Sequence, residues 1–278
     1  MEAEQGTIAA VSCNDTYAFT KPVRDEIVLI AGVGVKGDVH AGVHVKHRGR
    51  VRNDPTQPNF RQVHLIQHEL FAEVGAKGFA VAAGNLGENV TTTGVDLLAL
   101  PVGTILRFGP PAAATAGTGG VAVAAGTDAA RAGTDAREAP EVAATGLAGR
   151  DRPSEAGAVG REGPSAAEAL KAVLEVAAAA ELDRATAASA VAVAAAAARD
   201  RGDDPRAAVV LAGLRNPCAQ INVFRQGLLK EVIGRGDGGD VVYKAGVMAV
   251  VLRGGPIRPG DAIIAELPPL PHAPLERV

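Results

Sequence analysis

Between Phe108 and Phe224 the 278-residue chain has no Phe, Tyr or Trp. Aromatic rings bury more apolar surface than any other side chain, so a stretch without them offers little to a core. The same stretch is rich in Ala and Gly and holds none of the histidines. The chain therefore reads as two kinds of sequence. An ordinary globular one, residues 1–110 and 207–278, is interrupted by a low-complexity one, residues 111–206. A core must be assembled from two pieces that are remote in sequence.

The flanking pieces consist of short apolar and β-branched runs punctuated by glycine turns. Residues 6–13, 26–33, 61–67, 90–93, 209–215, 241–253 and 262–267 read as strands, and 96–109 supplies a turn and another strand. Gly246 marks a bend inside 241–253. Residues 68–76 read as a helix with Leu70, Phe71 and Val74 on one face, and 227–234 as a helical turn or two. Residues 44–58 read as a basic surface loop and 268–278 as a proline-rich tail. Many short strands without strand–helix alternation predict a mainly β chain, a barrel or sandwich with a few short helices.

Inside the insertion, 111–163 has too few large apolar groups to offset the entropy of ordering and is expected to be disordered. Ser165 and Glu168 then have the spacing of a capping box. They predict a helix over 166–199, with Leu170, Val173 and Leu174 as a thin stripe and little to pack against. The whole insertion is expected to be dispensable for the fold.

A net charge of −3 argues against a general nucleic-acid binder. The longest apolar tract, 185–198, is too short to span a bilayer, so neither nucleic acid nor membrane is an expected partner. Cys13 and Cys218 are too far apart in sequence to suggest a disulfide framework, and no secretory signal opens the sequence; a cytoplasmic location is expected. There is no phosphate loop of Walker type, no zincin helix and no GxSxG elbow. The histidines have no zinc-ligand spacing.

The chemistry points to Cys218. It follows the apolar run from Val209 and the Asn216-Pro217 break, so it is expected just past a strand end, where sites are commonly built. Arg215 puts a permanent positive charge close by, which favours thiolate over thiol. Gly34-Val-Lys-Gly-Asp-Val-His-Ala-Gly42 reads as a glycine-rich hairpin loop or as a turn presenting Asp38 and His40 together. The charged run around Arg48 and Arg52 reads as a solvated loop or an anion-binding one.

Six segments together resemble the MOSC family, named for the C-terminal domain of molybdenum-cofactor sulfurases. They are Val33–Gly42, Arg61-Gln-Val-His-Leu-Ile66, Gly84-Asn-Leu-Gly-Glu-Asn-Val90, Leu100–Leu106, Leu214-Arg-Asn-Pro-Cys218 and Arg258-Pro-Gly-Asp261, in that order. The resemblance implies a single MOSC-type β-barrel domain formed by 1–110 and 207–278, and a part in molybdenum-cofactor chemistry. Cys218 would be the catalytic residue and a ligand of the metal. Asn89, Arg215, Asp38 and His40 would line the same pocket, and Lys21, Arg48 and Arg52 are the basic residues offered to the phosphate of molybdopterin. A soft thiolate suits a sulfur-bound metal, and guanidinium forks suit a phosphate. The function implied is an oxidoreductase acting on a small molecule, an N-hydroxylated or related N–O compound. The alternative is a sulfur carrier holding a persulfide on the same cysteine, without turnover of its own. A redox or sulfur-donor protein would be the partner. No pyridoxal phosphate is expected, because nothing outside the match is large enough to bind it.

Overall fold

The computed structural model describes residues 5–109, 166–236 and 239–278. The disorder expected over 111–163 and the Ser165 cap lie outside the described residues. In chain order the elements are β1 (Gln5–Ser12), β2 (Val23–Arg24), β3 (Ile27–Ile30), β4 (Gly34–Val35), α1 (Arg48–Asn53), β5 (Val63–Gln67), α2 (Glu69–Gly75), β6 (Val90–Thr93) and β7 (Ile105–Phe108). Then follow α3 (Ala166–Ala179), α4 (Arg184–Arg199), β8 (Ala208–Leu214), α5 (Gln220–Phe224), α6 (Leu228–Glu231), β9 (Ile233–Arg235), β10 (Val241–Tyr243), β11 (Val247–Arg253), β12 (Gly255–Ile257) and β13 (Ala262–Glu266).

Seven strands close a barrel in the order β1–β13–β7–β8–β11–β5–β6 and back to β1, and β2 pairs with the end of β1. Neighbours are antiparallel except β5 and β6, which run parallel with Leu65 opposite Val90. The mainly β barrel expected from the sequence is the fold observed. β9 and β10 form a separate hairpin, and β12, β3 and β4 a small second sheet.

Strand periodicity explains the longest apolar run. In β8, Val209 and Leu211 point into the barrel with Leu65, Leu106, Val247, Val251 and Ile263. Ala208, Val210 and Ala212 point outward and meet α3 and α4 through Val173, Ala177, Val193 and Ala196. Both faces of the strand are covered, so no polar residue interrupts it.

The helix expected over 166–199 is therefore not short of partners. Val173 and Val193 are completely buried, and each such burial stabilises by about 1.5–3 kcal/mol. The Ser189 hydroxyl donates to the Ala212 carbonyl at 2.5 Å. Beyond α4, Asp200 pairs with Arg253 at 2.8 Å and with Arg107 at 3.2 Å. Nor is it a single helix. Asp183 is extended (φ −62°, ψ 162°) and accepts from the Thr186 N–H, so it caps a second helix. An alanine-rich stretch with no Gly or Pro hides that break.

Three further expectations change. The basic loop 44–58 contains α1. The proline-rich tail is not free: Leu275 and Val278 are buried, and Arg277 bridges to Leu214. The run 241–253 is two strands, bent at Gly246 (φ +93°) as expected. A Cβ there would lie 2.9 Å from His64 Nε2 and closer still to the Leu65 carbonyl. No helix among the described residues is long and apolar enough to cross a membrane.

Candidate functional site

A cavity of about 410 Å³ opens where several stretches of the chain meet. After β1 the chain contributes Tyr17, Phe19 and Lys21, and after β4 it contributes His40. Lys46, His47 and Arg52 come from α1 and its approach, and Arg61 and His64 from the start of β5. Leu86, Gly87 and Asn89 come from the turn before β6, and Arg215, Asn216, Cys218 and Gln220 from the turn after β8. Five of the lining residues are Lys or Arg, and none is Asp or Glu.

One carboxylate stands behind this wall. Asp38 is buried; its Oδ2 is 2.7 Å from Lys21 Nζ and accepts from Asn89 Nδ2 at 2.9 Å. Its Oδ1 accepts the His40 backbone N–H at 2.9 Å and stands 3.2 Å from His40 Nδ1. Burial alone would raise the Asp38 pKa, but the hydrogen bonds from His40 and the Lys21 ammonium outweigh it. They hold the carboxyl well below the usual carboxylate range. Burial lowers the Lys21 pKa, and the ion pair with Asp38 offsets part of that. A single aspartate thus aims three lining side chains.

Asn89 works as a strut. Its Nδ2 also donates to the Ser12 carbonyl at 3.2 Å, and its Oδ1 accepts the His64 backbone N–H at 3.2 Å. His64 is buried, and its Nε2 is 2.7 Å from the Ala245 carbonyl. A carbonyl only accepts, so Nε2 carries the proton. Burial, then the Arg215 charge, keep this imidazole neutral. Below Asn89, Glu88 accepts the Gly84 and Leu86 N–H groups at 2.5 and 3.1 Å and fixes the turn that carries Leu86 and Gly87.

The turn after β8 delivers the thiol. The Arg215 N–H donates to the Gly246 carbonyl at 2.9 Å, and the Ile221 N–H to the Cys218 carbonyl at 3.0 Å. Between these anchors Cys218 is half-buried, its Sγ 3.6 Å from Gln220 Oε1. Arg215 is buried, and its Nη1 has no hydrogen-bond partner among the described residues. Burial lowers the pKa of Arg215, and the Cys218 sulfur works against that. Arg61 is pushed down to about 9 by burial and by the charges of Arg50 and Arg215, with Cys218 again opposing. Both guanidiniums stay charged at neutral pH. His47, pushed down to about 4 by burial and by Arg61, is neutral there.

Of the residues singled out from sequence, Cys218, Arg215, Asn89, His40, Lys21 and Arg52 line the cavity, and Asp38 supports it from behind. Arg48 opens α1, and its side chain lies outside what is described. Sequence reasoning passed over Arg61, His64 and His47. Arg61 and His64 had a signal, two cationic or polar residues at the start of an otherwise apolar strand. Cys13 does not line the cavity; burial, then Asp38, raise its pKa. No cluster of three or more His, Cys, Asp or Glu able to hold a metal ion occurs among the described residues.

Comparison with known proteins finds a fold. The chain is similar to the crystal structure of the YuaD protein from Bacillus subtilis, with a TM-score of 0.53 and 15% identity over 96% of this chain and 99% of that one. The chain shares its β-barrel fold with YuaD. It also aligns with YiiM from Geobacillus stearothermophilus (TM-score 0.45, 12% identity, 97% of this chain and 79% of that one). For YiiM from Escherichia coli the values are 0.41, 12%, 98% and 73%. No family model and no curated protein matches the sequence.

Proposed function

We propose that the chain is a MOSC-type protein that binds the molybdenum cofactor in this cavity, with Cys218 as the metal ligand. The observation that carries the reading is the composition of the wall: one half-buried thiol among five cationic side chains, with no carboxylate facing inward. Such a wall attracts an anion and repels a hard cation, which would need oxygen ligands. The orphaned Nη1 of buried Arg215 supports the same reading. A buried guanidinium N–H without a partner is destabilising until a ligand supplies an acceptor.

The residues present fit the group. Cys218 would hold the molybdenum through sulfur, and Arg52, Arg61 and Lys46, which line the same cavity, would take the phosphate. When bound, the cofactor would supply a metal centre able to exchange two electrons with an N–O substrate. The chain's own part is to bind and orient. Arg215 neutralises charge beside the sulfur, Lys21 presents an ammonium fixed by Asp38, and His40 presents an imidazole steadied through Nδ1. A redox partner protein would deliver the electrons.

Elemental analysis of purified protein with an assay for cyanide-labile sulfur tests this. Stoichiometric molybdenum, lost in Cys218→Ser and kept in Cys13→Ser, is the expected result. Labile sulfur on Cys218 without metal would replace the oxidoreductase reading by the persulfide carrier. Neither metal nor sulfur, in protein made with cofactor supplied, would sink both.

A further inference from the structure

Residues 273–278 lie across the back of the cysteine turn. The Leu214 N–H donates to the Glu276 carbonyl at 2.7 Å, and the Val278 N–H to the Leu214 carbonyl at 3.3 Å. The segment thereby runs as a short parallel extension beside the last residue of β8. The approach is tight: a Cβ on Gly213 would lie 2.5 Å from the Glu276 carbonyl oxygen. Only a glycine lets the segment seat here. Leu275 and Val278 bury their side chains and fix it from below.

The segment touches the site twice. The Arg277 guanidinium lies 4.7 Å over the Tyr243 ring and donates from Nη1 to Asn216 Oδ1 at 3.4 Å. Asn216 lines the cavity two residues before Cys218. Arg61, another lining residue, donates from Nη1 to the Val278 carbonyl. One strap thus holds both the turn that carries the thiol and one of the two guanidiniums beside it. On its other side that turn is anchored by the Arg215 N–H to the Gly246 carbonyl and by the Ile221 N–H to the Cys218 carbonyl.

We propose that residues 273–278 are a positioning strap for the site, with Arg277 as the residue that sets the placement of Cys218 relative to its cationic neighbours. It rests on the reading of Cys218 as the reactive group. Arg277 is exposed and outside the core, so its removal leaves the barrel intact while freeing Asn216. The turn then loosens and the sulfur spends less time beside Arg61 and Arg215.

The test is the rate of Cys218 alkylation by iodoacetamide in the full chain carrying Cys13→Ser. At neutral pH Arg277→Ala is expected to slow the reaction about 2- to 5-fold, the equivalent of losing one exposed cation–π contact. Tyr243→Leu removes the platform from under Arg277 and should act in the same direction without adding to it. Arg277→Lys should restore part of the rate. An unchanged neutral rate in both variants overturns the strap. So does a fall that appears only together with a lower urea midpoint, because that marks a merely structural contact. A different failure has a different signature: if Cys218 in the parent reacts no faster than Cys13 in a Cys218→Ser chain, the reading of the site itself is wrong and the strap goes with it.

Discussion

Asp38 Oδ2 stands 2.7 Å from Lys21 Nζ, and neither side chain reaches solvent to any extent. Removing one partner of such a pair leaves an uncompensated charge inside the protein. Asp38→Asn is expected to destabilise by about 3–5 kcal/mol, read from a urea midpoint. The effect depends on pH. The folded-state pKa of Asp38 is depressed, so its contribution is fully present above its unfolded pKa of about 3.9 and lost as pH falls through the folded value. Below about pH 4 the parent should therefore lose stability towards the variant. Parallel curves for the two proteins at all pH values would show that the pair does not contribute.

Arg215 sets function against stability. Its Nη1 is buried without a partner, so Arg215→Met is expected to leave the cofactor-free midpoint unchanged or higher, because a charge that burial disfavours is gone. Cofactor loading should fall at the same time. A midpoint drop of more than about 2 kcal/mol would mean that Arg215 stabilises the fold by itself.

Cys218→Ser should change the midpoint by less than about 1.5 kcal/mol, the range for near-isosteric swaps, because the side chain is only half-buried. If Cys218 were a plain core residue, the new hydroxyl would lack a partner and the drop would be larger. Calorimetry of the two cysteine variants side by side decides it.

Gly246→Ala should destabilise by more than about 2 kcal/mol, since the residue combines a left-handed backbone with a collision against His64 and Leu65. The imidazole signal of His64 should shift in proton NMR. A stable variant with unmoved His64 resonances would refute the close approach.

Replacing residues 115–163 with a short Gly/Ser linker is expected to leave a cooperatively unfolding protein. Extending the deletion through Asp204 is expected not to, since it uncovers Val210, Val250 and Phe60 and removes Asp200, which pairs with both Arg107 and Arg253. Equal midpoints for the two deletions would restore the view of the whole insertion as dispensable.

The barrel was legible because its signals are local. Runs such as Val90–Thr93 and residues 262–267 are β-branched or alternating and end at glycine or proline. Cys218 was legible because Asn216-Pro217 announces the end of a strand. The packing role of 166–199 was not. Its contacts are alanine and valine surfaces against Val210 and Val250, remote in sequence, and alanine looks the same whether exposed or buried. Arg61 had a local signal, a cation at the start of an apolar strand, but its contact with Val278 and the nearby charge of Arg215 arise only in the folded chain.

Strand number itself accounts for part of where the cavity lies. Strands that alternate direction all the way round a closed ring must be even in number. Seven cannot alternate, so one neighbouring pair has to run the same way, and here it is β5 with β6. Two strands that are consecutive in sequence and run parallel need a crossover that returns to the starting end. Residues 68–89 make that return, through α2 and the glycine turn at 84–87. It sets the beginnings of the two strands side by side, with the Asn89 N–H donating to the His64 carbonyl at 2.8 Å. Arg61 and His64 from one beginning, and Leu86, Gly87 and Asn89 from the other, thus become adjoining parts of the same wall. An eighth alternating strand would remove the need for that return.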